Sequence, residues 1–166
     1  MELKQSFYKM SAGKLFFLAY FVCFAIFLAI GLRPAEAIDL EVSATLIIPA
    51  IGLESDVTTL SVKEHRLETP DYIAGSFSRF KNKTLLIGHS STVFSKLKDL
   101  KVGNKIVYAG TKYQIVKIET MKKSEISMHD ILADTDKRTI ILMTCAGESL
   151  GGQDATHRLI ITAEAE

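Results

Sequence analysis

Two short runs in this chain have almost no polar position: Thr84-Leu85-Leu86-Ile87 and Thr139-Ile140-Ile141-Leu142-Met143-Thr144. A half-exposed strand alternates apolar and polar residues. Nearly continuous apolar character is instead expected of a central strand, covered on both sides. A chain that carries two such strands must build a fold around them.

Further short apolar runs alternate with turn signals on either side. Strands are expected near Thr45–Ile48, His65–Thr69, Tyr72–Ala74, Thr84–Gly88, Lys105–Ala109, Lys112–Glu119, Thr139–Thr144 and Arg158–Ala163. Short strands at regular intervals predict a barrel or a sandwich. Tyr108-Ala109-Gly110-Thr111 reads as a hairpin turn. The apolar phase shifts inside Tyr113–Ile118, which predicts a bulge or burial on both faces. Val93–Leu100 has apolar residues three and four apart and predicts one or two helical turns; Ile126–Ala133 predicts another.

Ahead of this mainly β region lies Leu15–Leu32, eighteen residues without a charge. As a helix it spans roughly 27 Å, close to a bilayer core. Lys4, Lys9 and Lys14 precede it, and Glu36, Asp39 and Glu41 follow. Basic before and acidic after predicts a cytoplasmic N-terminus and an exported C-terminal domain. The expected organisation is a cytoplasmic segment at 1–14, a membrane anchor at 15–33, a linker at 34–43 and a domain at 44–166. A cleaved signal peptide competes, because Ala35-Glu36-Ala37 fits the small-x-small cleavage rule. Both readings put the domain outside the cytoplasm.

From Leu15 onward there are 17 Lys and Arg against 18 Asp and Glu. Such a balance argues against a nucleic-acid partner, which normally requires a basic face. The two cysteines, Cys23 and Cys145, fall in the apolar segment and in the domain, so they do not pair within one chain. A single unpaired thiol in an exported domain is unusual, because oxidising surroundings make it a liability.

Cys145 ends one apolar run, His89 follows another, and Arg158 opens a third, Leu159-Ile160-Ile161-Thr162. A cysteine nucleophile must become a thiolate. Unperturbed thiols titrate at about 8.5 and imidazoles at about 6.5, so a neighbouring imidazole can take the proton and then stabilise the thiolate. The imidazolium can protonate a departing amine. A guanidinium, with backbone N–H groups, can stabilise the oxyanion of the tetrahedral intermediate. These are the parts of a cysteine acyl-transfer site. A cysteine in an apolar run is more often a buried small hydrophobe. His65, His129 and His157 compete with His89, and Arg66, Arg79 and Arg138 with Arg158.

Five segments, in order, resemble the sortase family: Thr45–Leu53, Thr84–Ser90, Val93-Phe94 through Ile106, Ile141–Cys145 and His157–Ile161. They cover nearly all of Thr45–Ala163. The resemblance implies a closed eight-stranded β-barrel with short helices, preceded by one N-terminal transmembrane helix. It implies a membrane-anchored cysteine transpeptidase that cleaves a Leu-Pro-x-Thr-Gly-like sorting signal through a thioester. The acyl group would pass to an amine of a cell-wall precursor or a pilin lysine. Motif by motif, Cys145 corresponds to the nucleophile, His89 to the catalytic histidine and Arg158 to the oxyanion- or substrate-positioning arginine.

The expected partners are secreted proteins bearing such a signal, the amine acceptor and membrane lipid. The short loop from Lys122 to Arg138 lies where sortases form part of the signal-binding groove, so the exact motif stays open. No cofactor is required. Some sortases bind calcium through acidic loops, and Glu125, Asp130, Asp134 and Asp136 could contribute here, although scattered acids are usually just solvated. Two other readings compete: a cysteine peptidase using the same triad with water as acceptor, and a non-catalytic surface-tethered binding domain.

Overall fold

In β6 (Lys83–Ile87) and β9 (Thr139–Gly151) alternate side chains point to opposite sides of the sheet, and both sides are apolar. Leu86, Ile140 and Leu142 face one buried cluster, while Leu85, Ile141 and Met143 face another. This is how nearly continuous apolar runs become strands with no solvent face. The computed structural model describes residues 42–63, 66–152 and 154–166, together with Tyr20.

The remaining strands are β1 (Val42–Ile48), β2 (Leu53–Thr59), β3 (Val62–Lys63), β4 (Arg66–Leu67), β5 (Ala74–Phe80), β7 (Lys105–Tyr108), β8 (Thr111–Lys122) and β10 (Asp154–Ala165). Eight of the ten close into a barrel in the order β1-β2-β5-β6-β9-β10-β8-β7, and β3 and β4 form a separate ribbon. The β2–β5 and β6–β9 pairs are parallel, and the other barrel pairs are antiparallel. The first cluster, with Leu46, Ile48, Val57, Ile106, Ile115, Leu159 and Ile161, fills the barrel. The second lies outside it, where Leu67, Ile126, Ile131 and Leu132 cover Leu85, Ile141, Met143 and Ile160.

The turn at Tyr108–Thr111 joins β7 to β8. Its central residues, Ala109 and Gly110, sit at φ 47° and 74°. Positive φ at both positions is what a type I′ hairpin requires, and its twist matches that of the strands. The phase shift in β8 is a bulge: Thr162 pairs with Lys117 and Ala163 with Ile115, which leaves Val116 without a partner residue. Within residues 42–166, helical structure among the described residues is confined to short turns. These include a 3-10 turn at Leu97–Asp99 and a helix at Met128–Ile131 whose Ser127 side chain accepts the Asp130 N–H.

Three expectations change. β2 is a full barrel strand in a stretch that reads as polar. Glu54 and Asp56 lie exposed on its outer face, and pairing with β1 and β5 makes the strand despite its composition. His65–Thr69 contributes only β4, outside the barrel, and Tyr72 sits in a bend before β5. β9 and β10 extend well beyond their apolar cores, because each supplies the other's backbone hydrogen bonds as a two-stranded ribbon. The expected membrane span at 15–33 and its flanks at 1–14 and 34–41 lie outside the described residues, Tyr20 apart. No helix among the described residues is long and apolar enough to cross a membrane.

Ile161 is fully buried inside the barrel. Ile161→Ala is expected to lower the unfolding free energy by about 2–5 kcal/mol, from lost burial plus a cavity. Val116→Ala, at the exposed bulge, should shift it by no more than about 0.5 kcal/mol. Denaturant titration of the two variants checks this. Equal effects would mean that the barrel interior is not packed as described.

Candidate active site

Burial along β9 falls off at one residue. Thr139 to Thr144 are all buried, Cys145 and Ala146 are half-buried, and the rest of the strand is exposed. Cys145 is a thiol on the boundary between barrel wall and solvent. It stands mid-strand, not at a strand end, and the ribbon with β10 continues past it. Arg158 likewise lies four residues inside β10. The two residues are directly opposite in the antiparallel register. Opposed residues project to the same face with Cβ atoms roughly 4.5–5.5 Å apart, so thiol and guanidinium side chains are neighbours.

His89 arrives from the other side of β9. The parallel β6–β9 register ends with Ile87 beside Met143. Beyond it the Gly88 N–H donates to Met143 O at 3.4 Å, and the buried Thr144 hydroxyl donates to Gly88 O at 2.7 Å. Two residues on from a matched pair, His89 and Cys145 come level. Gly88 is required by close approach: a Cβ there would lie 2.6 Å from Val93 Cγ1 and 2.7 Å from Phe94 Cδ2. The His89 carbonyl accepts the N–H groups of Thr92 and Phe94, which locks the turn. Its Nε2 lies 3.3 Å from Thr69 O. A carbonyl only accepts, so this contact favours the tautomer that carries its proton on Nε2.

Two concavities meet at this point. A groove of about 780 Å³ runs along the outer face of the barrel, with Val62, Leu67, Phe77, Ile87, Leu132 and Met143 among its walls and His89, Cys145 and Arg158 in its lining. A smaller pocket of about 160 Å³ lies beside it and is mixed in character: His89, Ser90, Ser91, Cys145, Ser149 and Asp154 line it together with small Ala and Gly residues. Among these residues His89, Cys145 and Asp154 border both.

Arg158 is held closely. Its Nη1 donates to Ala155 O and His157 O at 2.8 and 2.9 Å, and its Nη2 donates to Asp154 Oδ1 at 2.7 Å. Asp154 also accepts from Lys123 Nζ at 2.6 Å. Lys123 first, then Arg158 and the Ala155 N–H, hold the Asp154 carboxyl well below the usual carboxylate range. The motif reading did not single out Asp154, Lys123, Thr144 or Thr69. Strand alternation could have found Asp154, because residues four apart in a strand share a face.

The rival residues stand elsewhere. His129 is exposed and pairs with Asp130. His157 neighbours Arg158 and bonds the Thr156 hydroxyl instead. Arg79 lies over the Phe80 ring, Arg138 precedes β9 at the end where β9 begins, and Arg66 is in β4. His65 is outside the described residues. Glu125, Asp130, Asp134 and Asp136 do not gather: among the described residues no three His, Cys, Asp or Glu side chains converge as a metal site.

The Sortase domain model matches residues 46–166. Among solved structures the chain is similar to a lid mutant of sortase A from Corynebacterium diphtheriae, with 22% identity, 79% of this chain and 73% of that one covered, and a TM-score of 0.62. Sortase C-1 from Actinomyces oris matches at 22% identity over 81% and 82% of the two chains, with a TM-score of 0.60. Sortase C1 from Streptococcus agalactiae matches at 25% identity over 78% and 70%, with a TM-score of 0.59. Class A and class C structures are thus alike in similarity. No curated protein sequence matches the chain.

The Thr144 bond to Gly88 ties β9 to the turn that follows β6 across 56 residues of sequence. Thr144→Val keeps the shape and removes the donor. It is expected to lower the unfolding free energy by about 1–3 kcal/mol, and Thr144→Ser to restore most of it. An unchanged denaturation midpoint in Thr144→Val would show that this bond does not hold β9 to the turn after β6.

Proposed function

The chain belongs to the sortase family, a family of cysteine transpeptidases of the cell envelope, and on that premise we propose that it cleaves a Leu-Pro-x-Thr-Gly-like sorting signal and transfers the protein to an amine. The observation that supports this reading is that His89, Cys145 and Arg158 line one apolar groove, with a second, smaller pocket bordering His89 and Cys145. Apolar walls suit the leucine and proline of an extended peptide, whose burial favours binding by roughly 25 cal/mol per Å² of apolar surface.

In the proposed mechanism the Cys145 thiolate attacks the carbonyl carbon of the threonine in the signal. The C=O π electrons move to oxygen, and Arg158 with nearby backbone N–H groups stabilises the oxyanion. His89, as imidazolium, gives its proton to the departing amine as the C–N bond breaks. A thioester to Cys145 remains. An incoming amine, deprotonated by His89, attacks that thioester and releases the thiolate. The amine is that of a cell-wall precursor or a pilin lysine. We further propose the single-pass topology expected of 15–33, with the N-terminus cytoplasmic and the catalytic domain at 44–166 outside. The substrates are then secreted proteins held at the same membrane.

The full-length chain, mixed with a Leu-Pro-x-Thr-Gly peptide and an oligoglycine amine, is expected to show an acyl adduct on Cys145 by intact-protein mass spectrometry, together with ligated peptide. Cys145→Ala should abolish both. Arg158→Ala should slow adduct formation by roughly 10²–10³-fold, the loss typical of one oxyanion donor. Adduct without ligation would move the reading to a peptidase. Turnover that survives Cys145→Ala would sink it.

A further inference from the structure

Arg158 has five N–H donors, and the described structure accounts for three of them. Both hydrogens on Nη1 go to carbonyls of its own strand, at Ala155 and His157, and one on Nη2 goes to Asp154 Oδ1. The Nε–H and the second Nη2–H have no partner among the described residues. The Arg158 side chain is only 15% exposed and lines the groove with Cys145. A rigid planar fork with three of its donors tied down has one orientation, and the remaining two donors then point where that orientation sends them.

The tie has a second arm. Asp154 Oδ2 accepts from Lys123 Nζ at 2.6 Å, while Oδ1 also accepts the Ala155 N–H at 2.9 Å. Lys123 and Asp154 are about half exposed, and ion pairs so exposed contribute little to stability. Their consequence lies in placement and in charge. Asp154 alone would neutralise Arg158, and a neutralised guanidinium stabilises a developing oxyanion less. With Lys123 added, the group of three keeps a net positive charge beside the thiol.

We propose that Asp154 is a positioning residue for the acyl-transfer reaction: with Lys123 behind it, it clamps Arg158 so that its two remaining N–H donors face the reacting carbonyl while the cluster stays positive. The inference rests on the reading of Arg158 given above. It adds two residues of this chain, from β10 and from the turn after β8, to the machinery. Asp154 does not touch the reacting atoms in this assignment; it acts through Arg158.

The test is a double-mutant cycle on the full-length chain, with the rate of Cys145 acylation by the Leu-Pro-x-Thr-Gly peptide as readout. Thermal melting and iodoacetamide alkylation of Cys145 confirm that each variant is folded with its thiol intact. Asp154→Ala is expected to slow acylation by roughly 10- to 100-fold, the usual effect of a misplaced catalytic group. Asp154→Glu should recover part of that loss, and Lys123→Met should cost roughly two- to fivefold. In an Arg158→Ala background both losses should vanish, because the residue they act through is gone. A merely structural role for Asp154 would persist in that background, and this result overturns the proposal. So does an Asp154→Ala protein as fast as the wild type while Arg158→Ala remains slow, an outcome that leaves the function itself standing. If Arg158→Ala is as fast as the wild type, or the wild type forms no adduct, the functional reading fails and this inference falls with it.

Discussion

Strand β9 has no face to give to solvent between Thr139 and Thr144. Ile140 and Leu142 complete the interior of the barrel, and Ile141 and Met143 complete the cluster outside it. A strand buried on both faces needs partners on both edges as well, because an unpaired backbone group away from water is costly. β6 supplies one edge in parallel and β10 the other in antiparallel. Everything at the site follows from this arrangement. The strand carrying the thiol is flanked on one side by the strand whose following turn carries the histidine, and on the other by the strand that bears the arginine.

The outer cluster also accounts for the groove. Its cover, from Leu67, Ile126, Ile131 and Leu132, lies over Ile141 and Met143 but does not close over the end of the sheet. Where the cover stops, the same apolar surface continues as the wall of an open groove that runs to Cys145. An apolar channel leading to a thiol is therefore the unfilled end of a packing layer. No separate structure was needed to make it.

At that end the character of the chain changes within two residues. Thr144 still satisfies its hydroxyl inside the protein, on the Gly88 carbonyl, whereas Cys145 borders two cavities. The side chain next to it across the sheet, Arg158, is fixed by carbonyls of its own strand and by a carboxylate that a lysine in turn holds. Charge and orientation are thus supplied by groups around the thiol, while β9 itself supplies rigidity.

Much of this was legible in the chain, and the reasons differ by element. β6, β9 and β10 announced themselves because complete burial demands complete apolarity, and the β7–β8 hairpin because its turn needs a residue such as Gly110. His89 and Cys145 were identifiable as chemistry-bearing residues beside those runs. β2 and β5 were not legible as they stand: Glu54 and Asp56 alternate outward on one, and small residues such as Gly75 and Ser76 pack on the other, so neither has the density that marks a strand. The ribbon beyond Cys145, with Asp154 on it, reads as polar loop because its backbone is satisfied by a partner strand and not by burial. The sequence by itself determined which segments can have no solvent face and which reactive side chains follow them, since burial and residue chemistry are written residue by residue. Only the tertiary structure decided that thiol, imidazole and guanidinium meet, and that Asp154 and Lys123 join them. The β6–β9 pairing spans more than fifty residues and the β9–β10 pairing sets Cys145 opposite Arg158, and each is a register between two segments that neither encodes alone.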